Sequence, residues 1–111
     1  MSIVLVFSTL PDAETAQQLA RTLVEEGLVA CVNILPGIQS IYRWQGAIES
    51  SAEVMLIAKT ANASYPALEA RLKALHPYEL PEIVAFSASM GLPAYFDWVN
   101  QSTLPRTDKE Q

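Results

Sequence analysis

The stretch from residue 29 to residue 60 constrains the fold of this chain more than any other part of the sequence. It contains three β-rich segments, VACVNIL, IQSIYRWQGAIES and EVMLIAKT, with no helical periodicity between them. We interpret Pro36-Gly37 as a turn and Gly46 as a bulge or bend. The stretch therefore predicts a long hairpin with an interrupted middle, longer than a small domain needs for its own sheet.

Alternation of side chains in the middle segment predicts which residues share a face. Successive strand residues point to opposite sides, so Ile41 and Arg43 belong to one face and Tyr42 and Trp44 to the other. Tyr42 and Trp44 either pack in an interface, which is the commoner role, or stack on a ligand.

The segments before the hairpin predict a strand and a helix. IVLVFS, residues 3 to 8, has the β-branched composition of a buried strand. Met1 and Ser2 precede it, without the basic residues that precede a secretion signal's apolar core. Asp12 is a favourable N-cap and Gly27 a favourable C-terminal stop, so a helix is expected between them.

The segments after the hairpin repeat this order. A second helix opens at Ser64 and Pro66 and ends before Pro77, which disfavours helical angles at the preceding residue. A strand is expected over residues 82–89, and Pro93 begins a short third helix.

This order of elements predicts the fold class. Two β-α-β halves with helices on one face of an antiparallel sheet describe an α+β, ferredoxin-like (split βαβ) fold, here with an added C-terminal helix. We expect one domain over residues 1–102 and a flexible C-terminal tail over residues 103–111.

Composition limits the partners and the compartment. Half of the 111 residues are hydrophobic and only 17% are charged, which is a large apolar share for so small a protein and indicates an oligomer interface. The net charge of −5 disfavours nucleic acid, whose phosphates repel an acidic protein. The single cysteine excludes an internal disulfide, and no run is long enough for a membrane span. We therefore expect a cytoplasmic protein with no nucleic-acid or membrane partner.

The segment LHPYELPEI, residues 75 to 83, holds the only histidine of the chain. His76 is a candidate metal ligand or acid–base group, because its unperturbed pKa lies near neutrality. The alternative is a histidine at a helix end that hydrogen-bonds backbone carbonyls. Glu79 and Glu82 could join His76 around a cation, although carboxylates in such a loop are commonly only solvated.

Lys59 and Cys31 each have a candidate functional role and an ordinary structural alternative. Lys59 ends a buried strand and could receive an anionic ligand, but an edge lysine also extends its ammonium group to water. Cys31 has the surroundings of a small buried hydrophobe. A nucleophilic pair of Cys31 and His76 stays open, although no third orienting group is evident.

Three motifs occur in order along the chain: Tyr42-x-Trp44-x-Gly46, Lys59-Thr60 and His76-Pro77-Tyr78-Glu79-x-Pro81-Glu82. With the strand ACVNILPGIQSIYRWQGAIES and the helical segment YFDWV, they make the chain resemble the CutA family of divalent-cation tolerance proteins. The resemblance covers residues 3 to 102.

The resemblance implies a compact homotrimer of ferredoxin-like subunits, whose long strands pair between subunits. It implies a role in tolerance to divalent cations, copper especially, without catalysis. It also implies an intersubunit cleft, for which we name Ser8, Tyr42, Trp44, Lys59 and Tyr78, with the metal candidates His76, Glu79 and Glu82 at its mouth.

At the positions of the family's copper ligands, this chain matches the family less well than elsewhere. They include a cysteine at the end of the first strand and a His-His pair before the proline. This chain has Ser8, Leu75 and His76 at those positions. We therefore expect copper to bind only weakly, through His76 with Glu79 or Glu82.

Two other function classes share this predicted fold. A PII-like regulatory sensor would bind a small ligand in clefts between subunits, but nucleotide phosphates favour a density of Lys and Arg that this chain lacks. An acylphosphatase-type enzyme would need an arginine in the loop after the first strand, and STLPDAE has none.

Overall fold

The structure, a computed structural model, describes residues 2–103. It contains four strands and three α-helices within this range. Their bounds in chain order are β1 Ile3–Leu10, α1 Ala13–Glu25, β2 Cys31–Trp44, β3 Ala47–Ala61, α2 Tyr65–Leu75, β4 Val84–Ser87 and α3 Pro93–Ser102.

The four strands form one antiparallel sheet in the order β2-β3-β1-β4. Each half of the chain contributes a strand, a helix and a second strand, and the two halves interleave at the central pair of β1 and β3. This topology confirms the predicted α+β, ferredoxin-like fold with an added C-terminal helix.

Helix α1 begins and ends at the residues that the sequence predicts. The Asp12 side chain accepts a hydrogen bond from the Thr15 backbone N–H at 2.8 Å, which satisfies one of the free donors of the first turn. Gly27 has a φ of +74° after the last turn, a conformation that glycine adopts without strain. The apolar stripe of α1 packs on the sheet through Leu19 and Leu23.

The long hairpin differs from its prediction in where it turns. Residues Cys31 to Trp44 form a single strand, and Pro36-Gly37 is an irregularity between the pairs Leu35–Met55 and Ile38–Glu53. The reversal occurs at Gln45 and Gly46, whose φ angles are +50° and +86°. A two-residue turn with positive φ at both positions matches the twist of the flanking strands. Gly46 therefore lies in the turn, and Gly37 lies in the bulge.

Strand β4 is shorter than the predicted strand over residues 82–89. It pairs only with Val4 to Phe7 of β1. Strand β3 occupies the other side of β1, and within residues 2–103 no further strand lies beyond β4. The apolar pattern of residues 82–89 therefore extends past the four residues that have a ladder partner.

The predicted tail does not begin at residue 103, because Thr103 is buried. Its hydroxyl donates to the Val99 carbonyl at 2.8 Å and accepts from the Ala61 backbone N–H at 3.1 Å. Its own carbonyl accepts a hydrogen bond from the Ser64 hydroxyl. The rest of the expected tail, residues 104–111, lies outside the described residues.

The sheet has two different faces. One face is covered by α1 and α2 and holds most of the core, including Val6, Leu10, Leu56 and Ala58. The other, which we call the open face, carries apolar side chains that are partly exposed in the single chain. Three of them are Leu35 on β2 and Val84 and Phe86 on β4, with Phe86 57% exposed.

Candidate functional site

A cleft of about 830 Å³ lies between the hairpin and the loop that follows α2. Beyond the bulge, residues 38–53 leave the body of the domain as a two-stranded arm whose residues are exposed or half-buried. The loop of residues 77–82 faces this arm. The residues that line the cleft are Thr9, Ser40, Ile41, Tyr42, Trp44, Ser51, Glu53, Pro77, Tyr78, Glu79, Leu80 and Glu82.

A hydrogen bond joins the arm to the loop across the base of this cleft. The Tyr78 hydroxyl donates to the Glu53 carboxylate at 2.6 Å, a short distance typical of a bond to a charged acceptor. Burial raises the pKa of the Tyr78 hydroxyl well above its ordinary value, and the Glu53 carboxylate raises it further. The hydroxyl therefore keeps its proton and holds the loop to β3.

His76 is buried at the end of α2 and uses both ring nitrogens within the protein. Nε2 lies 2.9 Å from the Thr9 carbonyl oxygen, and Nδ1 accepts a hydrogen bond from the Tyr78 backbone N–H at 3.1 Å. A carbonyl can only accept, so Nε2 carries the proton and the ring is neutral. Burial lowers the pKa of His76, while the hydrogen bond to Thr9 and the Glu53 carboxylate partly oppose this shift.

The charged side chains that line the cleft are all acidic. Glu53, Glu79 and Glu82 line it, and its lining residues, all within 2–103, include no Lys, Arg or His side chain. Across these same residues, no group of three or more His, Cys, Asp or Glu side chains is placed to hold a metal ion. The carboxylates therefore create a negative cleft without converging on one point.

Two aromatic side chains on the arm face the cleft. Tyr42 and Trp44 lie on the same face of β2, as the alternation predicts, and are 44% and 39% exposed. The Tyr42 hydroxyl lies 3.3 Å from the Ser51 hydroxyl across the hairpin. The arm thus presents two accessible aromatic rings beside the three carboxylates.

Five of the predicted site residues share this cleft in the single chain: Tyr42, Trp44, Tyr78, Glu79 and Glu82. His76 lies directly behind it. Ser8 and Lys59 do not line it. Ser8 is buried, and its hydroxyl has no hydrogen-bond partner among the described residues. The Lys59 ammonium group lies 5.9 Å from the ring centroid of Tyr95 on α3, a cation–π distance.

Sequence reasoning missed Glu53, which connects the arm to the loop. It opens the segment EVMLIAKT, where it resembles any solvated residue at the start of a strand. Its face follows only from the ladder, in which Glu53 pairs with Ile38 and Tyr42 pairs with Glu49. A turn placed at Gln45-Gly46 would have given this register, because the pairing of a hairpin is set by its turn.

A comparison with protein families matches residues 4–102 to the model described as "CutA1 divalent ion tolerance protein". The chain belongs to this family. The resemblance inferred from the motifs is therefore confirmed, and it spans nearly the whole chain.

Individual relatives agree with this assignment. The divalent-cation tolerance protein CutA of Thermus thermophilus is 49% identical over 88% of this chain and 95% of its own length. The crystal structure of CutA from Xylella fastidiosa superposes with a TM-score of 0.89 at 48% identity, covering 91% of this chain and 97% of that one. The names of these relatives mention no catalytic activity.

Relatives differ in the compartment that their names give. A CutA protein of Arabidopsis thaliana is named chloroplastic, and this chain spans 55% of its length at 39% identity. The CutA structure from Archaeoglobus fulgidus, at 35% identity and a TM-score of 0.88, is named periplasmic. Among residues 2–103 of this chain, no helix has the length and apolar character that a membrane crossing requires.

Proposed function

We propose that this chain acts in divalent-cation tolerance as a homotrimer in the cytoplasm, binding cations weakly and without catalysis. Membership of the CutA1 family supports the role in tolerance. The partly exposed apolar residues of the open face, such as Val84 and Phe86, support association, since exposed apolar patches of this kind commonly mark interfaces.

The observation that carries the cation-binding part is the charge of the cleft. Three carboxylates line one cavity, and its lining within residues 2–103 includes no basic side chain; such a cavity concentrates cations and repels anions. Carboxylate oxygens bind divalent ions, although for copper they are weaker ligands than imidazole or thiolate.

The geometry of His76 weighs against the predicted copper site formed with Glu79 or Glu82. Copper binds the lone pair of a ring nitrogen, and the lone pair at Nδ1 already accepts a hydrogen bond from the Tyr78 backbone. Binding at Nε2 would remove the proton that faces the Thr9 carbonyl. Weak binding of copper therefore depends on the negative charge of Glu53, Glu79 and Glu82, which attracts the ion to the cleft without enclosing it, while His76 holds the loop that carries two of them.

Calorimetric titration of copper into the wild type and two variants tests this assignment. The double variant Glu79→Gln/Glu82→Gln should weaken binding about tenfold or more, since each charged ligand lost is worth over about 1 kcal/mol. His76→Gln, which keeps one donor and one acceptor, should bind copper within about threefold of wild type. If His76→Gln loses copper binding while its loop stays ordered, and the double variant does not, the imidazole is the ligand and the assignment to the carboxylates is wrong.

The PII-like sensor stays a second candidate because the cleft has the size of a small-molecule site. Its volume of about 830 Å³ lies within the range of roughly 300 to 1,000 Å³ typical of such sites. Its three carboxylates count against the phosphate-bearing ligands of nucleotide sensors. Titration with ATP should give no binding, and micromolar affinity for ATP would favour the sensor.

A further inference from the structure

Two hydrogen bonds attach the loop of residues 77–82 to the body of the chain, and both use Tyr78. Its backbone N–H donates to Nδ1 of His76 at 3.1 Å, and its hydroxyl donates to the Glu53 carboxylate at 2.6 Å. The two prolines of the loop have no backbone N–H to donate. Within residues 2–103, no other hydrogen bond joins this loop to a helix or strand. The attachment of the loop therefore depends on two side chains outside it.

The two hydrogen bonds of the His76 ring respond differently to a proton. Nε2 donates to the Thr9 carbonyl at 2.9 Å in either protonation state, so the ring stays attached to the end of β1. Nδ1 accepts the Tyr78 N–H only while the ring is neutral. Once Nδ1 is protonated, two N–H groups face each other and an attractive contact becomes a repulsive one. A proton on this ring therefore acts on the loop and leaves the bond to β1 in place.

The surroundings of the ring decide when it gains this proton. The ionisable groups on the surrounding elements are Glu53 on β3, Tyr42 on β2, Asp12 before α1, Lys73 in the last turn of α2, and Tyr78, Glu79 and Glu82 on the loop. Glu53 favours the charged ring, whereas burial favours the neutral one and has the larger effect, which lowers the pKa of His76. The ring is therefore neutral at pH 7.5 and gains a proton only below about pH 6.5.

We propose that His76 makes the position of this loop sensitive to acid: protonation of Nδ1 breaks the bond to Tyr78 and frees the loop, while β1 and α2 stay folded. The inference goes beyond the proposed function, because it concerns a movement of the loop and requires no bound cation. It is also independent of how copies associate, since the three hydrogen bonds that carry it lie within one chain.

Amide hydrogen exchange of the full-length protein, followed by NMR at pH 7.5 and pH 5, tests the proposal. Protection factors, which remove the intrinsic pH dependence of exchange, should fall about tenfold for the Tyr78 amide, the equivalent of one lost hydrogen bond. At pH 5 this amide should exchange at a rate that about 0–1 M urea does not change, because a local opening exposes little surface. The amides of β1, which open by global unfolding, should respond to urea.

His76→Gln is the variant that removes the titration. Glutamine keeps one donor and one acceptor but does not change charge in this range, so protection of the Tyr78 amide should differ by less than about twofold between the two pH values. Tyr78→Phe provides a second measurement, because it removes the bond to Glu53 and keeps the backbone N–H. Its loop should be less protected at pH 7.5 and should lose about tenfold more at pH 5. Tyr42→Phe, the matched control, should behave like the wild type.

Three results would overturn the proposal. The first is unchanged protection of the Tyr78 amide in the wild type at pH 5, whether the ring nitrogen chemical shifts show a protonated or a neutral His76. The second is an equal fall in the wild type and His76→Gln. The third is exchange of the Tyr78 amide with the same urea dependence as β1, because the loop would then open only when the whole chain unfolds.

Discussion

At the scale of single residues, His76 carries two roles that the sequence cannot separate. Its position before Pro77 ends α2, and its extended backbone, with φ −71° and ψ +137°, sends the chain toward the cleft. Its ring then joins the end of β1 to the start of the loop through Thr9 and Tyr78. The bond from Tyr78 requires the neutral ring, because a protonated Nδ1 cannot accept the Tyr78 N–H, whereas Nε2 donates to Thr9 in either protonation state.

The first prediction concerns the pH dependence of folding. The pKa of His76 is lowered in the folded protein, so the unfolded chain binds more protons and the free energy of unfolding falls as pH drops below about 6.5. Above that pH the contribution is fully present. Urea unfolding at fixed protein concentration should show a larger loss between pH 7.5 and 5 for the wild type than for His76→Gln.

His76 is the only histidine in the chain. No other side chain with an ordinary pKa changes charge in most of this window. If the wild type and His76→Gln lose the same stability, the ring is not what makes folding sensitive to pH.

The second prediction concerns the bond between Tyr78 and Glu53. Tyr78→Phe removes a donor to a half-buried carboxylate and should lower the free energy of unfolding by about 1–2 kcal/mol. Tyr42→Phe is the matched control, since among residues 2–103 the Tyr42 hydroxyl contacts the Ser51 hydroxyl alone, at 3.3 Å on the exposed arm. It should cost less than about 0.5 kcal/mol, and equal losses in the two variants would contradict the role of Glu53.

At the scale of elements, the arm depends on its turn. Gln45 and Gly46 both have positive φ, a region that costs a residue with a side chain about 1–2 kcal/mol. Glycine occupies only the second position, so the turn retains strain at Gln45.

The third prediction concerns the two turn residues, of which only the second is a glycine. Gly46→Ala, with φ +86°, should destabilise the hairpin by about 1 kcal/mol, and Gln45→Gly should stabilise it by up to about 1 kcal/mol. Hydrogen exchange of the arm amides, compared with those of β1, measures both effects. A stabilising Gly46→Ala would mean that the turn adopts another conformation in solution.

At the scale of the whole molecule, the arm makes the chain elongated. Its extents are 49 × 30 × 23 Å, and the arm and the open face together leave apolar surface uncovered. Phe86 and Val84 lie on β4, an edge strand of the sheet. Association of copies is the expected way to cover this surface.

The fourth prediction concerns this association. Light scattering at micromolar concentration should report three chains per particle for the wild type. Phe86→Glu places a charge on the open face and should produce smaller particles, because an unpaired charge in an interface is costly. Val24→Glu is the control, since Val24 is also partly exposed but lies on α1, on the other side of the sheet. A monomeric wild type would contradict the trimer.

The order of elements, the bounds of α1 and the end of α2 can be read from the amino-acid sequence. These follow from local chemistry: the Asp12 cap, the glycine after α1, and Pro77, which acts on the residue beside it. The sequence also determined the shared face of Tyr42 and Trp44, because alternation along a strand needs no knowledge of its partners.

How distant segments meet depends on the folded chain. The turn at Gln45 set the register that faces Glu53 toward Tyr78, and the end of β1 supplied the carbonyl that uses the Nε2 proton of His76. Strand β4 is limited to the four residues that pair with Val4 to Phe7 of β1. Each of these depends on contacts between residues far apart in the chain, and a hydrogen bond satisfied by such a contact leaves no local pattern in the sequence.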